Sequence, residues 1–159
     1  MPKSFFLMLC ALTLMFLASD LANAQHGRPS VSVTEVTGTF RHSFPAKFKG
    51  SSSDIKIQSV GRGKLKVAFD LVYPHLDGRG RLTANTGEAS GNAAINGDTA
   101  VYESKEFGQC KITIKFVRPG RITVSQEGTD GDCGFGHNVM ANGTYRKVSS
   151  KKPKFDKNH

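Results

Sequence analysis

The stretch CKITIKFVRPGRITVSQEGTDGDCGFGHNVMANGTYR, residues 110–146, decides the fold. Ile112, Ile114 and Phe116 fall on one face while Lys111, Thr113 and Lys115 fall on the other, the two-residue period of a half-buried strand. Arg118-Pro119-Gly120 breaks the run, because proline removes a ladder donor and glycine accepts positive φ. On the return, Ile122, Val124 and Gln126 alternate with Thr123, Ser125 and Glu127, which completes a hairpin. Cys110 then lies near the open end of that hairpin and Cys133 just past it, so a Cys110–Cys133 disulfide is geometrically easy. In the loop-entropy picture such a ring destabilises the unfolded chain by about 3–4 kcal/mol.

The rest of the chain extends the same pattern. Gly38-Thr39-Phe40-Arg41 recurs as Gly143-Thr144-Tyr145-Arg146, two Gly-Thr-aromatic-Arg segments near opposite ends. Their likeness predicts first and last strands lying side by side, the pairing that closes a barrel and removes its edges. Residues 36–44 read as the first strand. Residues 54–60 and 64–73 form a second hairpin around Gly61-Arg62-Gly63, and residues 74–80 form a loop. From Leu82 the chain turns to small residues, with Ala84, Gly87, Ala89, Gly91, Ala93 and Ala94 before the Asn96-Gly97 turn signal. Such density suits a strongly bent wall or a place where a ligand or another backbone comes close. The expected fold is all-β: a small antiparallel meander of seven or eight strands, closed as a barrel over residues 36–148, with an open sandwich as the alternative.

Lys3 precedes an apolar run over residues 5–18, and Ala22-Asn23-Ala24 offers the small residues a signal peptidase needs, so residues 1–24 read as a cleaved signal peptide. The run is shorter than the roughly 20 residues that span a bilayer, so no transmembrane segment is expected after cleavage. Cys10 leaves with the leader, and the remaining pair suits an oxidising compartment, periplasmic or secreted. Residues 25–35 read as a flexible terminus and 149–159 as a disordered basic tail whose one large apolar residue is Phe155. The net charge of +9 survives cleavage, because the leader removes Lys3 and Asp20. An exported basic domain meets anionic surfaces: lipid headgroups, wall polymers or acidic proteins. Lys47, Lys49, Arg79 and Arg81, in polar loops, are the candidate basic contacts.

Chemistry-bearing motifs are sparse. Cys133-Gly134-Phe135-Gly136-His137-Asn138 is the densest special sequence, and Phe135, His137 and Asn138 form the candidate binding loop. Flanking glycines let Phe135 either point outward as a contact or fold inward as a plug, and the neighbouring crosslink favours the plug. The five histidines are scattered without metal-ligand spacing, and no cofactor is expected. Thr129-Asp130-Gly131-Asp132 resembles part of a calcium loop but lacks its remaining ligands, so an Asx-type turn is the reading. No serine sits in a GxSxG elbow with a paired base, and no enzymatic activity is expected. Basic residues neighbour aromatics, yet those aromatics alternate inward and the chain is exported, which argues against nucleic acid.

The segment CGFGHNVMANGTYRK, with CKITIKF and ITVSQEG before it, resembles a C-terminal pattern of small uncharacterised exported proteins of Gram-negative bacteria. In size, export and architecture the chain is also similar to periplasmic lysozyme-inhibitor-type β-barrels, although +9 would repel a basic lysozyme. The expectation is a monomeric, non-enzymatic binding module of the bacterial envelope. It would act through loops at one barrel end on an anionic envelope component or protein, as an inhibitor or immunity-type protein does. The alternative is a small-ligand carrier with a lipocalin-like interior cavity.

Overall fold

The computed structural model describes residues 31–117 and 120–155. Residues 1–30, which include the expected signal peptide, residues 118 and 119, and residues 156–159 lie outside the described residues. Eight antiparallel strands follow in chain order: β1 Gly38–Ser43, β2 Ser52–Gly61, β3 Lys64–Leu76, β4 Leu82–Asn96, β5 Thr99–Ser104, β6 Cys110–Val117, β7 Arg121–Glu127 and β8 Gly143–Ser149. Each pairs with its sequence neighbour, and β8 returns to β1 to close the barrel.

The closing seam explains the repeated tetrapeptide. Gly38 and Gly143 open β1 and β8 at φ 151° and 146°, values other residues rarely adopt. A Cβ on Gly38 would also collide with the Ser149 carbonyl. Two residues on, Phe40 and Tyr145 each enter the core at 1% exposure. Next to them Arg41 and Arg146 face each other across the seam on the outside. Arg41 avoids a bare like-charge contact by chelating Asp54 of β2 with Nε and Nη2, both at 2.7 Å.

Period-2 burial places Ile55, Ile57, Leu65, Val67, Phe69, Leu71, Ile112, Ile114 and Ile122 inside, each at 2% exposure or less. Aromatic packing links them, with Phe40 and Phe116 edge-on at a centroid separation of 6.2 Å and Phe69 and Tyr102 tilted at 5.3 Å. Small residues of β4 supply the missing room. Gly91 lies beneath the Tyr102 ring, where an added Cβ would stand 2.9 Å from Cε2. The interior is therefore filled by side chains, the state expected of an eight-stranded barrel without a ligand chamber.

Three local expectations are corrected. The first concerns the segment read as a flexible terminus over residues 25–35. Its described part holds one helical turn, α1 (Val33–Val36), and β1 starts at Gly38 rather than 36. Ser32 and Glu35 form a reciprocal capping box, and Lys147 Nζ donates to the carbonyls of Thr34, Glu35 and Thr37 at 2.8, 2.7 and 2.9 Å. Val36 is thereby driven into the core at 2% exposure.

The second concerns residues 74–80, which were expected as a loop. β3 instead runs through Pro74 to Leu76, beyond the last β2–β3 pair at Asp54 and Asp70. Past that point Pro74 has no β2 neighbour, so its missing N–H costs no ladder bond. The third concerns the tail. Part of it is ordered: Ser149 ends β8, and Phe155 folds back on the outer wall with Lys66 Nζ 4.8 Å from its ring centroid. The contact adds a cation–π attraction to a seat that Lys154 and Phe155 share with Lys56, Ala68 and Ser90 of the outer wall.

Candidate functional site

In a closed meander, alternate connections emerge at alternate ends. One end carries the tight turns around residues 62–63 and 97–98, together with α1. The other carries the long connections 44–51, 77–81, 105–109 and 128–142. Every residue expected to touch a partner falls at this second end.

Residues 128–142 cross it as a plug. Asp130 starts a short 3-10 turn, Gly131–Cys133, and the Cys110–Cys133 disulfide ties that turn to the start of β6 with Cα atoms 4.8 Å apart. Phe135 then points inward at 6% exposure, and its ring rests on Gly87 of β4. A Cβ at Gly87 would lie 2.7–2.9 Å from three Phe135 atoms, so the ring needs glycine beneath it. Gly136 N–H donates to the Thr86 carbonyl at 3.0 Å, and Asn85 Nδ2 donates to the His137 carbonyl at 2.7 Å. Val139 and Ala141 complete the seal at 0% exposure, and the Tyr145 hydroxyl donates to the Ala141 carbonyl at 3.0 Å. Burial pushes the Tyr145 hydroxyl far above the usual phenol range.

The plug's two aspartates hold its shape. Asp130 accepts the Asn138 amide at 2.6 Å and the Gly131 amide at 2.8 Å, and those bonds hold its carboxyl below the usual range. Asp132 accepts the Thr129 amide and hydroxyl, both at 2.8 Å, with the same consequence. Asn138 sits at φ 63°, a left-handed position that asparagine tolerates. Among the described residues no group of three His, Cys, Asp or Glu is placed to hold a metal ion. Residues 129–132 form a reciprocal cap rather than the expected Asx-type turn: the Asp132 amide donates back to Thr129 Oγ1 at 3.1 Å, and Asp130 accepts the amides of Gly131 and Asn138 instead of the one two residues on.

The candidate contacts divide as follows. Phe135 is a plug and is not presented to solvent, whereas the His137 side chain is 82% exposed with Nδ1 3.9 Å from Asp130 Oδ2. Lys47 and Lys49 are exposed on the 44–51 connection, with Lys47 Nζ 4.8 Å from the Phe48 centroid. Arg81 is paired with Asp77 at 2.8 Å, and Asp77 also accepts the Arg79 and Arg81 amides. The Arg81 amide is the largest cause holding the Asp77 carboxyl low, followed by the Arg81 side chain. The Arg79 guanidinium has no acidic partner among the described residues, which makes it the freer of the two cations.

Large apolar groups also crowd this end: Tyr73, Leu76, Leu82, Phe107 and Met140 are 37–65% exposed. The sequence reading passed over them. Leu76 and Leu82 are cross-strand neighbours at the tip of an arm that β3 and β4 build past β2. The arm joins the plug through Asn85 and Thr86, and Phe107 packs on Gly134 of the plug. These groups therefore form one continuous rim. Beside it an open groove of about 560 Å³ is bordered by Glu103, Lys105, Gln109, Lys111, Glu127 and Asp132.

Comparison with known proteins finds no matching family model, no matching curated protein and no matching solved structure. Among the described residues no helix is long and apolar enough to cross a membrane.

Proposed function

We propose that this protein is an exported, non-enzymatic binding module that engages an anionic partner, an acidic protein or envelope polymer, through the plugged, loop-bearing end. One observation carries the reading: the interior is packed solid, while five of the nine large apolar side chains exposed among the described residues, together with Lys47, Lys49 and Arg79 of the long connections, stand at one end, and the other four are all valines. A filled core leaves a carrier nothing to carry in, so surface recognition is favoured over a lipocalin-like interior. Exposed large side chains bordered by charge are the composition of interaction surfaces. The leader pattern supports export, and the disulfide is compatible with it.

The test is capture from a Gram-negative envelope extract on immobilised mature protein, run beside a Lys47→Glu, Lys49→Glu, Arg79→Glu variant. Saturable, salt-sensitive capture that the variant loses is the expected result. No saturable partner, or capture indifferent to the three reversals, overturns the reading.

A further inference from the structure

The barrel has one long unpaired edge. β4 is 15 residues long, yet only Ala93, Ala94, Ile95 and Asn96 pair with β5. Residues 82–92 therefore pair with β3 on one side and have no strand on the other among the described residues. Two bonds fix which residues face the free side. The Ile95 amide donates to the Gly63 carbonyl, on the β3 side. The Thr86 carbonyl accepts Gly136, on the opposite side. With the β3–β4 register unbroken from Leu76 and Leu82 to Lys64 and Ala94, odd-numbered residues face β3. The N–H and C=O groups of Leu82, Ala84, Glu88, Ser90 and Asn92 thus face outward along the edge.

The opposite edge of the same arm is treated differently. Where β3 outruns β2, Ser53 Oγ accepts the Val72 amide at 3.0 Å and contacts its carbonyl at 3.4 Å, and the next same-side residue is Pro74, which has no donor. That is how natural sheets close an edge to further pairing. The β4 edge has no proline, no lysine and no bulge, and apart from Leu82 at its tip its outward residues are small or polar. The plug already uses one position of it, through Gly136 and Thr86.

We infer that the β4 edge at residues 88–92 is a strand-addition site, and that its occupant is an extended acidic segment of a partner polypeptide. Backbone pairing would give the affinity and charge would give the choice. The outer face beside residues 88–90 carries Lys56, Lys66 and Lys154 against Asp70 and Glu88, Lys105 follows β5 across the opening, and the chain carries +9 overall, so a second copy is disfavoured and an acidic strand favoured. The inference rests on the reading of this end as the binding surface and adds the mode of binding to it.

The experiment is titration of the full mature chain with a short alternating Glu-Val peptide, read by affinity and by amide hydrogen exchange. Controls are the same peptide with a central proline and an alternating Lys-Val peptide. Binding of Glu-Val alone, with slowed exchange at Glu88, Ser90 and Asn92, supports the site. Ser90→Pro removes an outward donor without touching the β3 ladder, and lowers the affinity about tenfold or more with melting temperature retained. Ala84→Pro, on the far side of the plug contact, leaves affinity unchanged. Binding with no slowing at those amides, or equal binding of all three peptides, overturns the inference, and the wild-type measurement decides even where Ser90→Pro misfolds. Slowed exchange that rises with protein concentration alone assigns the edge to a second copy and overturns it too. Partner capture that survives Ser90→Pro, yet fails on reversal of Lys47, Lys49 and Arg79, sinks strand addition while leaving the proposed function standing.

Discussion

Replacing Gly87 by alanine tests the plugged end in one step, because the cost depends on a ring that arrives from 48 positions downstream, at Phe135. Gly87 has no positive φ, so in an empty strand alanine would be the better residue by about 0.5–1 kcal/mol, through the entropy it removes from the unfolded chain. Here its Cβ meets Phe135 Cβ, Cδ1 and Cγ at 2.7, 2.8 and 2.9 Å, and the ring cannot yield easily while the disulfide and the Gly136–Thr86 bond hold the plug on both sides. Overpacking of this kind costs about 1–3 kcal/mol. Phe135→Ala alone empties the socket and costs about 3–5 kcal/mol. In the Phe135→Ala background Gly87→Ala has nothing to strike, so its effect reverses sign and becomes a gain of about 0.5 kcal/mol. The four proteins form a double-mutant cycle with a coupling of at least about 1.5 kcal/mol, measured by urea denaturation with common slopes. Equal cost of Gly87→Ala in both backgrounds would mean that Phe135 does not rest on β4, and the plug as drawn would be refuted.

Removing the crosslink with Cys110→Ala and Cys133→Ala, across a separation of 23 residues, lowers unfolding stability by about 3 kcal/mol, seen as a melting temperature lower by roughly 12 °C. Lys147→Met strips α1 of its three carbonyl contacts and speeds hydrogen exchange of the amides of residues 35–37, with a loss of about 1.5–3 kcal/mol if the turn detaches. The carboxyls of Asp77, Asp130 and Asp132 are all held below their ordinary values, so the stability they give is full above the unfolded carboxylate pKa of about 3.9 and drains as pH falls through their lower folded values. Acid unfolding monitored by circular dichroism therefore shows a steeper fall below about pH 4 in the wild type than in Asp130→Asn, and identical profiles would contradict the plug's hydrogen bonding.

The parts of this fold that were legible in the sequence are those whose signal is local. Ile112, Ile114 and Phe116 declare their face by alternation alone, and the matched Gly-Thr-aromatic-Arg segments announced the closing seam because both start a strand with the same unusual glycine backbone. The disulfide followed from hairpin geometry and from the pair of cysteines left once Cys10 is assigned to the leader. The small-residue run of β4 reads from sequence as a bent wall or as the close approach of a ligand or another backbone, whereas what stands against Gly87 and Gly91 is the rings of Phe135 and Tyr102, which reach β4 from another loop and strand and so leave no local signal. The helical turn at Val33–Val36 did leave a local trace, the Ser32 to Glu35 capping box, which a search for helix-period apolar runs passes over in so short an element. Pro74 misled for the opposite reason: it breaks central strands, and only the register shows that β2 has ended before it. Among the site residues, the exposure of Leu76, Leu82 and Phe107 was invisible, since an apolar residue beside a turn carries no mark of which way it points.

The most direct test of the binding end is hydrogen exchange of the mature protein alone and with the partner captured from envelope extract. The account predicts slowed exchange confined to the connections 44–51, 77–81 and 128–142 and the adjoining edge of β4, with the α1 end and the outer wall of β6 and β7 unchanged. Slowing centred on α1, or on the β6–β7 wall, would contradict it.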